Sequence, residues 1–394
     1  MKNIKKIKKL GIITMQRISV GGGFPRVARD LIAHLNKMNI EVSLLTPYNV
    51  DLDRIAQLYG SIKIKKIYYP SRLKTALSKE EMFGRKLLIP EFKKFTKDMD
   101  FIIDMDGGVF HNYIPTDFDK NNYVIWKISC IDPKSYEVQN IKSLKVLIKL
   151  FIKKFINKFS FREKDIPKCV RIYPVDEWTK RELIKFWKVK PQKMCLYPEI
   201  KVDEFSSRSM KKEQIVVLGR IAPNKSIEES IKIFAEGTKK FQKYKLIILG
   251  GATSDSENYI SQLKKVIKEN ELENQIEIIK DPSFNLIKKT LSESKVIIDS
   301  QKNVSMTMTS VEAMASGCIV LSQKNAGTYL EVLEKGKFGY GFSNVEEGSK
   351  TLNEILSKLR SKNMMVSSAI KRARFFSPKK FEERLGEILR PKEI

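Results

Sequence analysis

Residues 310–331 read SVEAMASGCIVLSQKNAGTYLE, and this stretch predicts a short helix that runs directly into a buried strand. The helix is rich in small residues (AMASG), which allow close packing on a sheet, and the strand CIVLS is short and almost wholly apolar. We place the carboxylate of Glu312 at the start of this helix, where it would serve either as a helix cap or as a ligand. The pattern is typical of a helix and strand in a parallel α/β sheet.

The same alternation of strand and helix runs along the whole chain. Short apolar runs rich in β-branched residues predict strands buried in a parallel sheet. These runs are KKLGIIT, EVSLLTP, IKIKKIYYP, FIIDMD, NYVIWKIS and CVRIYPV in the first half, and QIVVLGR, YKLIILGG, QIEIIKD, KVIIDS and CIVLS in the second. Because helices separate the strands, right-handed crossovers are expected. The sequence therefore predicts an α/β protein with Rossmann-like, doubly wound domains.

Length and composition favour two domains. The chain has 394 residues, of which 42% are hydrophobic, so two cores are expected and global disorder is excluded. A polar patch, DEFSSRSMKKEQ, covers residues 203–214 and separates the two alternating halves. We predict an N-terminal domain over residues 1–205, a second over 206–375, and a final helical segment, 376–394, that packs back on the first domain.

The charge and the cysteines restrict the setting of the protein. The net charge is +28, from 74 basic and 46 acidic residues, which favours an anionic partner but also fits a solvated Lys-rich surface. The four cysteines are scattered without a C-x-x-C pair, which favours a reducing compartment. No apolar run reaches the roughly 18 residues of a membrane span. We expect a cytoplasmic protein.

Two cations follow a predicted strand of the second half. In GRIAPNKS, residues 219–226, Arg220 and Lys225 come directly after the apolar run IVVLG. Ligands of open α/β sheets bind at strand carboxyl ends, and guanidinium and ammonium groups there suit phosphate oxygens. A surface Arg and Lys beside a turn is the structural alternative. With Glu312 accepting from ribose hydroxyls, the three side chains would form a nucleotide-sugar pocket.

These segments resemble the donor half of retaining, family-4-type glycosyltransferases (glycosyl transferases group 1) of the GT-B fold. LYPEIKVDEF, residues 196–205, resembles the family's Y-P-P-V-D-x-x-F segment. The resemblance implies two Rossmann-like domains facing a central cleft, and transfer of a hexose with retention of configuration. It implies a UDP-, GDP- or ADP-sugar donor, a glycan or lipid-linked acceptor hydroxyl, and no metal or other cofactor. Arg220 and Lys225 would neutralise the diphosphate, and Glu312 would bind the ribose.

Glycines at two predicted strand ends extend the resemblance. Gly21, Gly22 and Gly23 in VGGGFPRVARDL lie before a predicted helix, where glycine permits close approach and the helix N-terminus attracts anions. The family's loop at this place faces the donor phosphate and the acceptor. Gly250 and Gly251 after YKLIIL resemble the family's V-G-x-G turn, although a Gly-Gly pair also fits an ordinary tight turn.

One position departs from the family pattern. The family carries a second Glu eight positions before Glu312, in a glycine-rich turn that contacts the donor sugar, and here Val304 stands there. A phosphate contact from backbone amides requires no side chain, so the amides of the following segment remain predicted ligands. That segment comprises Ser305, Met306, Thr307 and Met308.

The first half contributes further candidates. His111, in DMDGGVFHNYIP, follows a predicted strand end and is a candidate catalytic residue on the acceptor side of the cleft, with Asp106 as a comparable one. A structural loop histidine is the alternative. The D-M-D at residues 104–106 looks like a metal clamp but continues a buried-type strand. Residues 141–159 (IKSLKVLIKLFIKKFINKF) predict a basic amphipathic helix, which suits either an anionic membrane surface or a solvated domain face. Peripheral attachment to the cytoplasmic membrane face would follow from the first.

Three other classes of function remain open. Val304 is compatible with a catalytically silent scaffold that binds a nucleotide or glycan. A nucleotide-sugar epimerase would share the fold and form product without an acceptor. The positive charge alone would suit a nucleic-acid-binding protein, but no reader motif accompanies it, so no nucleic-acid partner is expected.

Overall fold

The computed structural model describes residues 7–69, 88–105, 110–128, 166, 169–208, 210–252, 256–359 and 363–390. The chain divides into two compact units. Unit 1 comprises Met1–Leu196 together with Glu382–Ile394, and unit 2 comprises Tyr197–Phe381. The chain therefore passes between units at 196/197 and 381/382, whereas the sequence-based limits were 205/206 and 375/376.

Unit 1 is built on a six-stranded parallel sheet. Its strands are β1 (Lys9–Ile13), β2 (Glu41–Leu45), β3 (Lys66–Tyr68), β4 (Phe101–Asp104), β5 (Tyr123–Lys127) and β6 (Arg171–Pro174). They are ordered β3-β2-β1-β4-β5-β6. The helices described in this unit before the crossing are α1 (Gly23–Lys37), α2 (Leu52–Tyr59), α3 (Ile89–Asp98) and α4 (Glu177–Glu182).

Unit 2 repeats this architecture. Its strands are β7 (Gln214–Leu218), β8 (Lys245–Gly250), β9 (Ile276–Lys280), β10 (Val296–Asp299), β11 (Ile319–Gln323) and β12 (Tyr340–Phe342). They are ordered β12-β11-β10-β7-β8-β9, again all parallel. The helices are α5 (Ile227–Gly237), α6 (Ser256–Glu269), α7 (Phe284–Glu293), α8 (Met308–Ala315), α9 (Val345–Ser357), α10 (Asn363–Ala373) and α11 (Pro378–Leu389), the last of which continues into unit 1.

The two sheets have the same strand order, which confirms the prediction of two doubly wound domains. In each sheet the winding reverses next to the first strand, between β1 and β4 in unit 1 and between β7 and β10 in unit 2. Such reversals open a crevice at the strand carboxyl ends, because the connections leave in opposite directions. Each unit therefore has one topological switch point where a ligand site is expected.

The central strands are buried because helices cover both faces of a parallel sheet. All four residues of β4 and of β10 are buried, as are four of the five in β1 and β7. Gly11 is required within β1, since a Cβ there would lie 2.3 Å from the Phe95 ring of α3. The short strand β12 was not predicted from the sequence. It contains Gly341 and has only three residues, so it lacks a recognisable apolar run.

Two further sequence-based predictions concern contact with a membrane. The basic helix predicted over residues 141–159 lies outside the described residues. No helix in the described part of the chain has both the length and the apolar character needed to cross a membrane.

In unit 1, the Arg171 guanidinium of β6 donates to the Ile388 carbonyl at 3.0 Å, which fastens the last turns of α11 to the edge of this sheet.

Candidate functional site

The switch point of unit 2 forms a recess between the loops that follow β7 and β10. The β7 loop contributes Arg220 and Lys225, and the end of β10 with its following loop contributes Asp299, Ser300 and Gln301. Arg220 is exposed and Lys225 is half-buried. The structure thus brings the two predicted cations together, at the place where the fold favours a ligand.

The β7 loop is held against the end of β8 by backbone hydrogen bonds. The Gly219 N–H donates to the Leu249 carbonyl at 3.1 Å, and the Ile221 N–H to the Gly251 carbonyl at 2.9 Å. A Cβ on Gly250 would lie 2.0 Å from the Gly219 carbonyl oxygen, so glycine is required there for the two loops to approach. The observed role of Gly250 is therefore to support the loop that carries the cations.

Three influences act on the pKa of Lys225. Its ammonium donates to the Gln301 side-chain carbonyl. Burial lowers the pKa of Lys225, the Asp299 carboxylate opposes this by raising the pKa, and the Arg220 guanidinium lowers the pKa further. An anion in the recess would offset both the cost of burying the Lys225 ammonium and its repulsion from the Arg220 guanidinium.

A tyrosine fixes the other end of the β7 loop. Ser226 adopts a left-handed conformation with φ 49° and leads into α5. The Tyr259 hydroxyl accepts from the Ile227 N–H at 3.1 Å and donates to the Glu228 carboxylate. Burial, together with the neighbouring Glu228 carboxylate, raises the pKa of Tyr259 well above its ordinary value. This anchor limits the positions that Lys225 can take.

Glu312 lies one turn further along its helix than the sequence suggested. Helix α8 begins at Met308 with Thr307 as the cap residue, so Glu312 belongs to the second turn. Its interpretation as a residue at the helix N-terminus, and hence as a cap, is wrong, because the four preceding residues, Met308–Val311, already belong to the helix. Glu312 is 4% exposed. Its binding of a ribose stays a prediction.

Hydrogen bonds also hold the segment before α8 in place. The Gly327 N–H donates to the Val304 carbonyl at 2.8 Å, and the Thr307 N–H donates to the Thr328 hydroxyl at 3.0 Å. The Thr307 amide therefore already has a partner and is a poor candidate for the predicted phosphate contact. Met306 is buried, whereas Ser305 and Met308 are partly exposed.

The candidates of unit 1 lie at its own switch point. Gly22 has φ 140°, which requires glycine, and its N–H donates to the Tyr59 hydroxyl at 2.7 Å. The space around the Cα positions of Gly21 and Gly23 is open, so a ligand can approach this backbone. Helix α1 begins at Gly23 without a side-chain cap.

Unit 1 contains two further predicted site residues, His111 and Asp106. His111 begins a 3-10 turn, His111–Tyr113, and is 3% exposed. Asp104 is fully buried and accepts from the Tyr123 hydroxyl, so it serves the packing of β4 against β5. Asp106 lies outside the described residues. The catalytic role of His111 stays a prediction.

The polar side chains that support the recess were not predicted from the sequence. Asp299, Gln301 and Thr328 were not considered, although all three contribute to hydrogen bonds around Lys225 or the start of α8. One signal was present in the sequence. The buried strand VIID ends on an acidic residue at a strand carboxyl end, where polar groups converge in this class of fold.

Comparison with known families and structures agrees with this geometry. Residues 199–372 match the family model described as glycosyl transferases group 1. The chain aligns over 97% of its length with sucrose-phosphate synthase from Thermosynechococcus elongatus, covering 98% of that chain, with a TM-score of 0.75 and 14% identity. Anabaena HepE in complex with UDP aligns with a TM-score of 0.73 and 13% identity, over 97% of this chain and 99% of that one.

Curated relatives match part of the chain. A protein of Xenopus laevis named GDP-Man:Man(3)GlcNAc(2)-PP-Dol alpha-1,2-mannosyltransferase is 26% identical over 195 residues, which are 46% of this chain and 40% of the relative. The human protein of that name is 25% identical over 221 residues, 52% of this chain and 45% of the relative. The matched stretch thus covers less than half of the relatives' own length. The chain has the GT-B fold, and its residues 199–372 match the model of the glycosyl transferases group 1 family.

Proposed function

We propose that this protein is a retaining hexosyltransferase that transfers a sugar from a nucleoside-diphosphate donor to a hydroxyl of a glycan or lipid-linked saccharide. The observation that carries the proposal is the pairing of Arg220 and Lys225 in one recess at the switch point of unit 2. The leaving group of sugar transfer is a nucleoside diphosphate, and preorganised positive charge at that position stabilises the transition state.

The donor that we propose is GDP-mannose. The curated relatives carry GDP-Man in their names, and the matched family domain contains the cation pair. The same names specify a dolichol-linked oligosaccharide, so a lipid-linked acceptor is the first to test. An acceptor of this kind would also suit membrane attachment through the predicted basic helix over residues 141–159.

The proposed reaction needs few groups from the protein. The bond between the anomeric carbon and the phosphate oxygen breaks as the acceptor oxygen forms its bond on the same face. The acceptor proton passes to the departing phosphate oxygen. Arg220 and Lys225 hold the negative charge that develops on the diphosphate, and Glu312 holds the ribose. The charge needed for departure is thus supplied by the chain's own cations.

Val304 favours one alternative, a protein that binds the nucleotide without transferring a sugar. The side chain at this position cannot accept hydrogen bonds from sugar hydroxyls. Binding and turnover therefore have to be measured separately. Formation of an isomerised nucleotide sugar without any acceptor would instead indicate an epimerase.

The first experiment measures nucleotide binding. Isothermal titration with GDP, UDP and ADP should give the tightest binding for GDP, and Arg220→Ala and Glu312→Gln should each weaken it at least about tenfold. Lys239→Ala is the matched control, because this exposed lysine pairs with Glu236 on the surface of unit 2. Equal affinity in the control and both site variants would move the nucleotide site elsewhere.

The second experiment measures transfer. Wild-type protein incubated with GDP-mannose and a short lipid-linked oligosaccharide should release GDP only when the acceptor is present, and the product should have the α configuration of the donor. Tight GDP binding without product on any acceptor would support the silent scaffold. An inverted linkage would contradict the retaining mechanism.

A further inference from the structure

Asp299 is a buried carboxylate at the centre of the recess wall. It is the last residue of β10, the strand beside the switch point, and is 6% exposed. Its oxygens accept hydrogen bonds from Gln301 Nε2 at 3.0 Å, Gln301 N at 3.4 Å, Thr307 Oγ1 at 2.7 Å, Ser310 Oγ at 3.1 Å and Thr328 Oγ1 at 3.4 Å. These donors belong to the β10 loop, the start of α8 and the loop after β11.

The three hydroxyls form a consistent set when each proton is used once. Thr307, Ser310 and Thr328 each donate to Asp299 Oδ2, and the Thr328 oxygen in turn accepts the Thr307 N–H. A buried carboxylate is stable only when such donors replace its lost water. The arrangement directs the Thr307 hydroxyl inward to Asp299, so this hydroxyl does not cap α8.

Gln301 connects this set to the cation of the β7 loop. Its amide group donates to Asp299 Oδ1, and its carbonyl oxygen accepts from the Lys225 ammonium. A carboxylate can only accept and an ammonium can only donate, so these two neighbours specify the orientation of the amide. Through this bridge, a single carboxylate is linked both to Lys225 and to the backbone that leads into α8.

We propose that Asp299 is a positioning residue of the donor site, which acts through Gln301 and Thr307 to hold Lys225 and the entry to α8 in one arrangement for a nucleoside diphosphate. This inference rests on the proposed function, because it requires a bound nucleotide. Asp299 itself need not touch the donor, since its described hydrogen-bond donors come from the surrounding loops and from α8. Its negative charge also offsets one of the two cations before the ligand arrives.

The charge of Asp299 has a consequence that a purely structural residue lacks. Lys225 faces two charged groups, the Arg220 guanidinium, which lowers its pKa, and the Asp299 carboxylate, which raises it, while burial lowers it most. The protonated form of Lys225 binds phosphate. Affinity therefore falls as the pH rises through the pKa of Lys225, and loss of the Asp299 charge moves this fall to lower pH.

The test is the affinity for GDP measured by isothermal titration from pH 6.5 to 9.5. Asp299→Asn should weaken binding about tenfold at pH 7.5 and move the alkaline fall to lower pH. Thr307→Val should weaken binding by a few-fold without moving the fall, because the carboxylate remains. Thr309→Val is the matched control. Thr309 lies on the same helix turn and has no hydrogen bond to Asp299 among the described contacts, so this variant should bind GDP as the wild type does.

Gln301→Leu keeps the inference testable if Asp299→Asn does not fold. It preserves both charges and breaks the bridge. GDP binding should therefore weaken about fivefold, and the pH at which the affinity falls should move less than in Asp299→Asn. Wild-type affinity and an unshifted pH profile in the folded Asp299 or Gln301 variants would overturn the inference and leave the proposed function standing. Wild-type protein that binds neither GDP, UDP nor ADP would overturn the proposed function and the inference with it.

Discussion

The loops after β1 and after β7 occupy the same topological position in two sheets of identical strand order, yet they offer a ligand different chemistry. The β1 loop presents the backbone of Gly21–Gly23, held by the Tyr59 hydroxyl of α2. The β7 loop presents the charges of Arg220 and Lys225, held by the end of β8 and by Gln301. Topology thus determines where a site forms, and the loop residues determine what it binds.

The strands across the switch points extend this comparison. β4 has the sequence FIID and β10 has VIID, and both end on a buried aspartate. Asp104 accepts from a tyrosine hydroxyl of the adjacent strand β5, which consolidates the sheet. Asp299 accepts from hydroxyls on loops and on α8, which shapes the recess. Equivalent carboxylates therefore serve the core in one unit and the site in the other.

The largest effect should follow from changing the glycine that supports the charged loop. Gly250→Ala should lower the free energy of unfolding by about 3 kcal/mol, because its Cβ would meet the backbone carbonyl of Gly219. Chemical denaturation measures this. Gly251→Ala is the control, because its Cβ would find only the Asp281 side chain, at 3.8 Å. Equal stability of the two variants would show that the loops need not approach so closely.

The two aspartates should respond differently to the loss of one hydroxyl. Tyr123→Phe removes a donor from the fully buried Asp104 and should cost about 2 kcal/mol of stability. Ser310→Ala removes one of several donors to Asp299 and should cost about 1 kcal/mol or less. Thermal unfolding of both variants measures the difference. A larger loss in Ser310→Ala would reverse the assignment of core and site roles.

The smallest effect should arise at the glycine loop. Tyr59→Phe removes the hydroxyl that holds the Gly22 N–H and should cost about 1 kcal/mol, with faster hydrogen exchange at Gly22. Tyr69→Phe is the control, because the Tyr69 hydroxyl has no hydrogen bond among the described contacts. If Gly22 exchanges at the wild-type rate in Tyr59→Phe, the loop is held by its own backbone conformation.

Much of the architecture was predictable because it depends on local patterns. Apolar runs such as IVVLG and CIVLS identify strands that are buried on both faces, and their alternation with helices predicts a parallel sheet. The positions of Arg220 and Lys225 directly after a strand predict a site at its carboxyl end. The start of α8 was misjudged, because Ser305, Thr307 and Ser310 are all of types that favour a helix cap, so the sequence does not single out Thr307.

The sequence by itself determined the fold class, the strands that bound the recess and the two cations that enter it. Only the tertiary structure decided what holds those cations in place. Lys225 and Gln301 are 76 residues apart, and they meet because β7 and β10 are neighbours in the sheet. A hydrogen bond requires positions accurate to a few tenths of an ångström, which strand register and crossover geometry supply and residue spacing along the chain does not.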